Sequence, residues 1–296
     1  MLHQKQVKSV LNKHRKRDSW FLDDYSVNPY EGCSCNCQYC YIRGSKYGEN
    51  MDEHLAVKTN ALEILDKQLA LRTKQNQYGI IAVGSGTDAY IHHEAMQQQT
   101  AGMLKIILKY RFPVFISTKC TLITRDIELL KEIDKTAILP DDLKSSLARG
   151  VILSVSLSSL DEKITNMLEP GAAAPCQRLG LAEQLKQEGF LVGVNAIPLL
   201  PYISDTEEEM EKIIAAAKEY EAGYILTCGL TLFGTDISDS KTLFYKFLER
   251  YDKELLPKYE QLYGSNFYTP FSYQHQLKEK AERLCRKHNI HTGILK

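Results

Sequence analysis

Along the chain, short apolar runs alternate with longer stretches whose apolar residues recur every three or four positions. The short runs are Tyr25–Val27, Tyr78–Val83, Pro113–Ser117, Val151–Leu157, Phe190–Ile197 and Tyr224–Cys228. Their length and unbroken apolarity predict buried strands. Between them, Leu62, Ile64, Leu65 and Leu69 mark a helix over Leu55–Leu71, and further helices are expected over Ala95–Tyr110, Arg125–Ile133, Gln177–Glu188 and Thr206–Tyr220. Thr124 is a candidate cap for the third of these, and Gly189 closes the fourth. Pro140-Asp141-Asp142 reads as the start of an additional helix over Ala137–Arg149, and Arg43–Glu53 reads as a loop rich in glycine and charge. Pro198 and Pro201 stop the fifth strand.

Strands separated by helices of this length imply an α/β fold with a parallel sheet and right-handed crossovers. Six βα units fall two short of a closed TIM barrel. The expected architecture is a partial (β/α)6 TIM barrel over residues 25–235, preceded by an N-terminal arm (1–24) and followed by a C-terminal helical extension (236–296). The extension, with its helical stretch Lys278–Lys287, is expected to pack on the barrel. A doubly wound sheet gives the same alternation. In either fold, ligands bind at the carboxyl ends of the strands. That rule gathers the loop after the first strand, Gly84–Asp88, Thr118-Lys119-Cys120, Ser156–Ser159, Ile197-Pro198 and Cys228-Gly229 around one cavity.

Composition changes this picture little. Of 296 residues, 44% are hydrophobic and 25% charged, and 37 basic side chains balance 37 acidic ones, so no global field attracts nucleic acid. The basic run Lys5, Lys8, Lys13, Arg15, Lys16 and Arg17 is expected to be a solvated helix face. No stretch reaches the roughly 18 apolar residues of a membrane span, and the first residues lack the apolar run of a signal peptide. A cytoplasmic protein is therefore expected, in which clustered cysteines are metal ligands rather than disulfides.

Four of the eight cysteines lie between positions 33 and 40. Cys33, Cys37 and Cys40 stand as C-x3-C-x2-C with Tyr39 before the last, and Cys35 sits between the first two. A structural zinc site wants two cysteine pairs well apart in sequence, whereas Cys120, Cys176, Cys228 and Cys285 are scattered singly. An extended loop would point Cys35 away from its neighbours, leaving it a shielding thiol. Three thiolates from one loop suit an iron–sulfur cluster with one iron left open.

C-x3-C-x2-C with an aromatic residue before the last cysteine resembles the signature of the radical S-adenosylmethionine (SAM) superfamily. NPYEGCSCNCQYCYIRG (28–44) is similar to the branch related to spore photoproduct lyase, the DNA repair photolyase-like proteins. VKTNAL (57–62), GTDAYIHHE (86–94), STKCTLITRDIELL (117–130), SVSLSS (154–159), LEPGAAAPCQRL (168–179) and AIPLLPYISDTEEE (196–209) resemble it too, so that the likeness covers roughly residues 18–235. The resemblance implies a [4Fe-4S] cluster on Cys33, Cys37 and Cys40, with SAM chelating the open iron. It implies reductive cleavage of SAM to a 5′-deoxyadenosyl radical that abstracts a hydrogen atom, and an external electron donor such as flavodoxin or ferredoxin. By motif, Tyr39 and Tyr41 match positions beside the adenosyl group, Thr87 and Ser156 match hydroxyls near the methionyl group or ribose, and Lys119 matches the carboxylate's partner. Ile197 matches a position facing adenine. Glu169 and Arg178 read equally as family positions or as a buried ion pair.

Where spore photoproduct lyase carries a hydrogen-donating cysteine, this chain has Ser85, and an O–H bond is too strong for that step. Cys120, Cys228 and Tyr90 are the candidates for a hydrogen donor or relay, and His92 and His93 are expected at the rim. Three functions compete: a radical SAM enzyme on an unidentified substrate, a DNA lesion lyase, and a non-catalytic iron–sulfur redox module.

Overall fold

A computed structural model describes residues 2–45 and 55–295. Six parallel strands form its centre: β1 (Asp23–Val27), β2 (Ile80–Val83), β3 (Val114–Thr118), β4 (Val151–Ser156), β5 (Leu191–Leu199) and β6 (Tyr224–Gly229). They pair in sequence order, β1 with β2 through to β5 with β6, and the sheet does not close. The fold is thus the expected partial barrel, each strand reading as an apolar run because it is covered on both faces. The crossover helices α1 (Ala61–Lys74), α2 (Gln99–Tyr110), α3 (Ile127–Thr136), α4 (Pro175–Gln187) and α5 (Glu207–Glu219) follow the first five strands. Outward residues such as Val114, Ile116, Leu153, Val192 and Val194 form one core with Leu65, Leu104, Leu130 and Leu185 of those helices.

A sixth helix, α6 (Phe271–His288), packs against β6 and α5. It completes the outer layer with Leu277, Ala281 and Leu284. Between β6 and α6, the helices Ser240–Tyr251 and Leu256–Tyr263 back a second apolar cluster, in which Phe244, Phe247 and Tyr259 join Cys35, Cys37 and Tyr39.

The inward faces of the strands form a third cluster. Ile80, Phe115, Ile152 and Tyr224, near the strand starts, meet Leu22, Leu143, Leu147 and Ile294 from three distant segments. Gly193 makes room there, since a Cβ at that position would lie 2.3 Å from the Tyr224 ring. The Tyr224 hydroxyl then reaches across to Ser154 Oγ (2.6 Å) and the Leu153 carbonyl (3.0 Å).

Several elements differ from expectation. The basic arm is not a helix: His3–Lys5 pairs with Ala56–Lys58, and Asn12–Lys13 pairs antiparallel with β1. Its exposed side chains carry no apolar period, and backbone pairing places it. Ala56–Lys58 is accordingly strand, and the first helix begins only at Ala61. The second expected helix breaks at Gln98, which adopts φ 50° between Glu94–Gln97 and α2. A 3-10 turn over Thr121–Asp126 replaces the start of the third. Residues 137–149 form turns, not a helix, and are held by buried Leu143 and Leu147. Glu162–Leu168 is an additional short helix, capped by the Asp161 side chain. Of the loop expected over Arg43–Glu53, residues 46–53 lie outside the described residues.

Candidate functional site

At the carboxyl ends of the strands lies a cavity of about 370 Å³. Cys33, Cys37, Cys40, Tyr39, Tyr41, Thr87, Lys119, Ser156 and Ile197 all line it, as do Cys35, Ser85 and Cys228. The cysteine loop is a chain of turns: the Asn36 N–H donates to the Cys33 carbonyl (3.2 Å), the Cys40 N–H to Cys37 (3.2 Å), and Asn36 adopts φ 51°. It is therefore not extended, and the expectation that Cys35 points away fails. Cys35 faces the same cavity, and its thiol lies 3.5 Å from that of Cys120.

The loop is clamped from below. Gly171 sits so close that a Cβ there would fall 1.8 Å from the Ser34 carbonyl oxygen, and its N–H donates to the Cys35 carbonyl (3.1 Å). Glu169 and Arg178 form a buried ion pair (2.5 Å), and Glu169 also accepts from the hydroxyls of Tyr39 and Ser158. Arg178 further donates to the carbonyls of Ser156 (2.8 Å) and Ala173 (2.7 Å). Of the two readings the sequence left open for Glu169 and Arg178, the geometry is that of the ion pair.

On the sheet side, Asp88 organises the exit of β3. Its carboxylate accepts from Thr118 Oγ1 (2.7 Å), the Lys119 N–H (2.7 Å) and the Tyr90 N–H (2.8 Å). The Lys119 ammonium reaches Ser156 Oγ (2.5 Å) and stands 6.0 Å from the Tyr39 ring centre. The Thr87 hydroxyl donates to the Gly32 carbonyl (2.6 Å), and the Tyr41 hydroxyl to the Ser85 carbonyl (2.7 Å). Ser85 in turn accepts from Asn28 Nδ2 (3.1 Å).

Burial opposes the charge of Lys119, but Glu169 and the neighbouring Cys37 outweigh it and raise the pKa, keeping a half-buried cation in the cavity wall. Burial likewise opposes the charge of Glu169, yet Lys119 and Arg178 hold it below the usual carboxylate range. The Cys37 and Cys40 thiols are pushed up by burial, while a hydrogen bond with Cys35 lowers that of Cys33.

The residues suit a multi-iron cluster better than one ion. A single zinc brings its sulfurs to within about 3.8 Å of each other, given Zn–S bonds of about 2.3 Å. Among the described residues, the one set of three possible ligands whose donor atoms all lie within 4.8 Å is Cys35, Asp88 and Cys120, not Cys33, Cys37 and Cys40. The cavity also offers an unused polar atom. Asn195, 4% exposed on β5, donates to Ser117 Oγ (2.8 Å) and leaves its buried Oδ1 unpartnered. An unsatisfied buried acceptor in a cavity wall is suited to a ligand's donor.

The relay candidates separate. Cys228 lines the cavity. Tyr90 does not: it is 1% exposed and packs in the outer-layer core with Ala89 and Val83. Cys120 is also off the cavity wall, turned toward Cys35. Stacked His92 and His93 are not among the cavity's lining residues; they precede the short helix Glu94–Gln97, with Ser34 Oγ 3.4 Å from His92 Nδ1. Asn195 and Asp88 carry the site's geometry without having been singled out as site residues; a lone amide within the apolar run of β5 was the available signal for the first.

The profile described as the Radical SAM superfamily matches residues 27–217. An uncharacterized protein of Mycobacterium tuberculosis is 28% identical over 295 residues, spanning 97% of this chain and 81% of the relative. An uncharacterized protein of Methanocaldococcus jannaschii is 26% identical over 187 residues, 62% of this chain and 63% of the relative. Among solved structures, a spore photoproduct lyase mutant with bound AdoMet and dinucleoside spore photoproduct superposes with a TM-score of 0.64 at 15% identity, covering 97% of this chain and 79% of that one. Its likeness is one of fold. Among the described residues, no helix is long and apolar enough to cross a membrane.

Proposed function

Because the chain belongs to the radical SAM superfamily, and is thus an enzyme, we propose that Cys33, Cys37 and Cys40 hold a [4Fe-4S] cluster and that SAM binds beside it in the cavity. The observation that carries this reading is the convergence of three thiols, two tyrosines, Thr87, Lys119, Ser156 and Ile197 on one 370 Å³ space. When bound, the cluster supplies the electron that cleaves SAM reductively, so that a hydrogen atom can be taken from substrate.

The chain's own residues provide the cradle. Lys119 offers a half-buried ammonium in the cavity wall to the methionyl carboxylate, a charge-assisted contact. Ser156, already bonded to Lys119, aims that ammonium. The Thr87 hydroxyl fixes Gly32, at the base of the thiol loop, and its oxygen retains capacity to accept. Tyr39 has its hydroxyl engaged by Glu169 and Ser158 and presents its ring; Tyr41 stands at the mouth. Ile197 supplies an apolar wall for adenine, and Asn195 Oδ1 an acceptor. Electrons come from an external donor such as flavodoxin or ferredoxin in a reducing, cytoplasmic setting.

A lesion lyase of the spore photoproduct type is disfavoured, because Ser85 offers an O–H where that reaction needs an easily broken bond, and its oxygen already takes the Asn28 amide. The substrate class is therefore left as an organic molecule with an abstractable C–H.

Anaerobically reconstituted, dithionite-reduced protein should convert SAM to 5′-deoxyadenosine. Cys40→Ala should lose both bound iron and product, while Cys35→Ala should keep most of each. A fully loaded cluster that yields no 5′-deoxyadenosine would overturn the reading.

A further inference from the structure

Two thiols that the proposed cluster does not use meet beside it. Cys35 Sγ and Cys120 Sγ are 3.5 Å apart, although 85 residues separate them in the chain. Neither is adrift. The 169–174 loop bonds to both segments, through Gly171 N–H to the Cys35 carbonyl (3.1 Å) and Ala173 N–H to the Lys119 carbonyl (3.0 Å). The Cys120 N–H donates to Thr118 Oγ1 (3.0 Å). Asp88 lies close enough to make a three-donor set with the two sulfurs. Its carboxylate already takes donors from Thr118, Lys119 and Tyr90, so it is committed to the β3 exit, and Cys35 is left between the thiols of Cys120 and Cys33, the second of which the proposed cluster uses. Shortening the Cys35–Cys120 separation from 3.5 Å to the roughly 2.0 Å of a disulfide asks for a closure of about 1.5 Å.

We propose that Cys35 and Cys120 form a reversible disulfide site. The oxidant is a low-molecular-weight disulfide such as oxidised glutathione. The partly exposed Cys120, as thiolate after losing its proton to water, attacks one glutathione sulfur; the S–S bond breaks and one glutathione leaves as thiol. Cys35, deprotonated in turn, attacks the Cys120 sulfur, the protein disulfide forms and the second glutathione leaves. Two protein thiols are oxidised and one glutathione disulfide is reduced to two thiols. The bond ties the thiol loop to the exit of β3. It requires only the two cysteines and an oxidant, so it stands or falls apart from the cluster reading.

The test uses the cluster-free full chain, equilibrated without oxygen in glutathione buffers from fully reduced to fully oxidised, then alkylated and mapped by peptide mass spectrometry. The first linkage to appear should be Cys35–Cys120, lighter by two hydrogens than the reduced pair, while Cys33, Cys37 and Cys40 are still alkylated. Cys35→Ser should leave Cys120 as a mixed disulfide with glutathione, and Cys176→Ser, at an exposed thiol, should change nothing. A first bond that includes Cys33, Cys37 or Cys40, the Cys33–Cys35 pair among them, would overturn the proposal; if Cys35→Ser does not fold, the map of the unaltered chain decides alone.

Discussion

The two ends of the barrel are built from the same six strands to opposite purposes. Near the strand starts, Ile80, Ile152 and Tyr224 are sealed by Leu22, Leu143, Leu147 and Ile294, none of which belongs to a strand or crossover helix. Near the strand ends the inward positions turn polar, to Ser117, Ser156 and Asn195, and open onto the cavity. The Ser154–Tyr224 hydrogen bond lies between the two halves. An open sheet cannot fill its own interior, so the plug is imported from distant segments. The cavity at the other end is what remains unplugged, and there the thiol loop and its ion pair do the closing. Stability is thus concentrated below and chemistry above, with Glu169 and Arg178 as the exception.

That division can be broken or sharpened by substitution. The largest effect is expected at the exception: Arg178→Ala leaves Glu169 buried without its partner and should cost about 3–5 kcal/mol in chemical denaturation. If it costs under about 1 kcal/mol, the pair is not the clamp of the thiol loop. Next, Leu147→Ala in the plug should lose about 2–4 kcal/mol, while the fraction that stays folded keeps its SAM affinity in calorimetric titration. A loss of affinity larger than twofold would mean that the two ends are coupled. Lys119→Met should do the reverse. Stability should fall less than in Arg178→Ala, because Arg178 still pairs with Glu169, but SAM binding should weaken by roughly 10- to 100-fold, the worth of a charge-assisted hydrogen bond.

The smallest effect concerns Asp23, at the lower margin of the cavity. Burial raises its pKa to about 6, against the pull of His14 at 3.2 Å. Its protonated form is favoured in the folded state, so the stability it contributes is present below the unfolded carboxyl pKa and declines as pH rises through about 6. Asp23→Asn should therefore melt progressively higher than the parent between pH 4 and pH 6.5. A constant difference across that range would sink the assignment.

The strands and the upper cavity were legible because both follow from local rules. Buried parallel strands leave continuous apolar runs, and strand exits gather ligand-binding groups whatever the rest of the chain does. The arm was not legible, since His3–Lys5 is exposed and paired only by its backbone. Nor were the turns at 137–149, where two buried leucines hold a segment whose Pro-Asp-Asp start promised a helix. The plug and the Cys35–Cys120 contact are purely tertiary: no spacing in the chain announces that Leu22 meets Ile294, or that positions 35 and 120 touch. Asn195 was missed for the opposite reason, because an apolar run hides the one amide that faces inward.

The placement of α6 bears on how the protein can be dissected. A fragment cut after residue 235 would retain all six strands, every cysteine of the loop and the whole of the profile match, and would look sufficient on paper. It would also strip Leu277, Ala281 and Leu284 from the outer core, leaving one face of β6 and a flank of α5 bare. A bare apolar face beside an open sheet edge invites association with other chains. Shortened versions that stop there are therefore expected in the insoluble fraction, and expression work has to carry the chain at least through Ile294, which belongs to the plug.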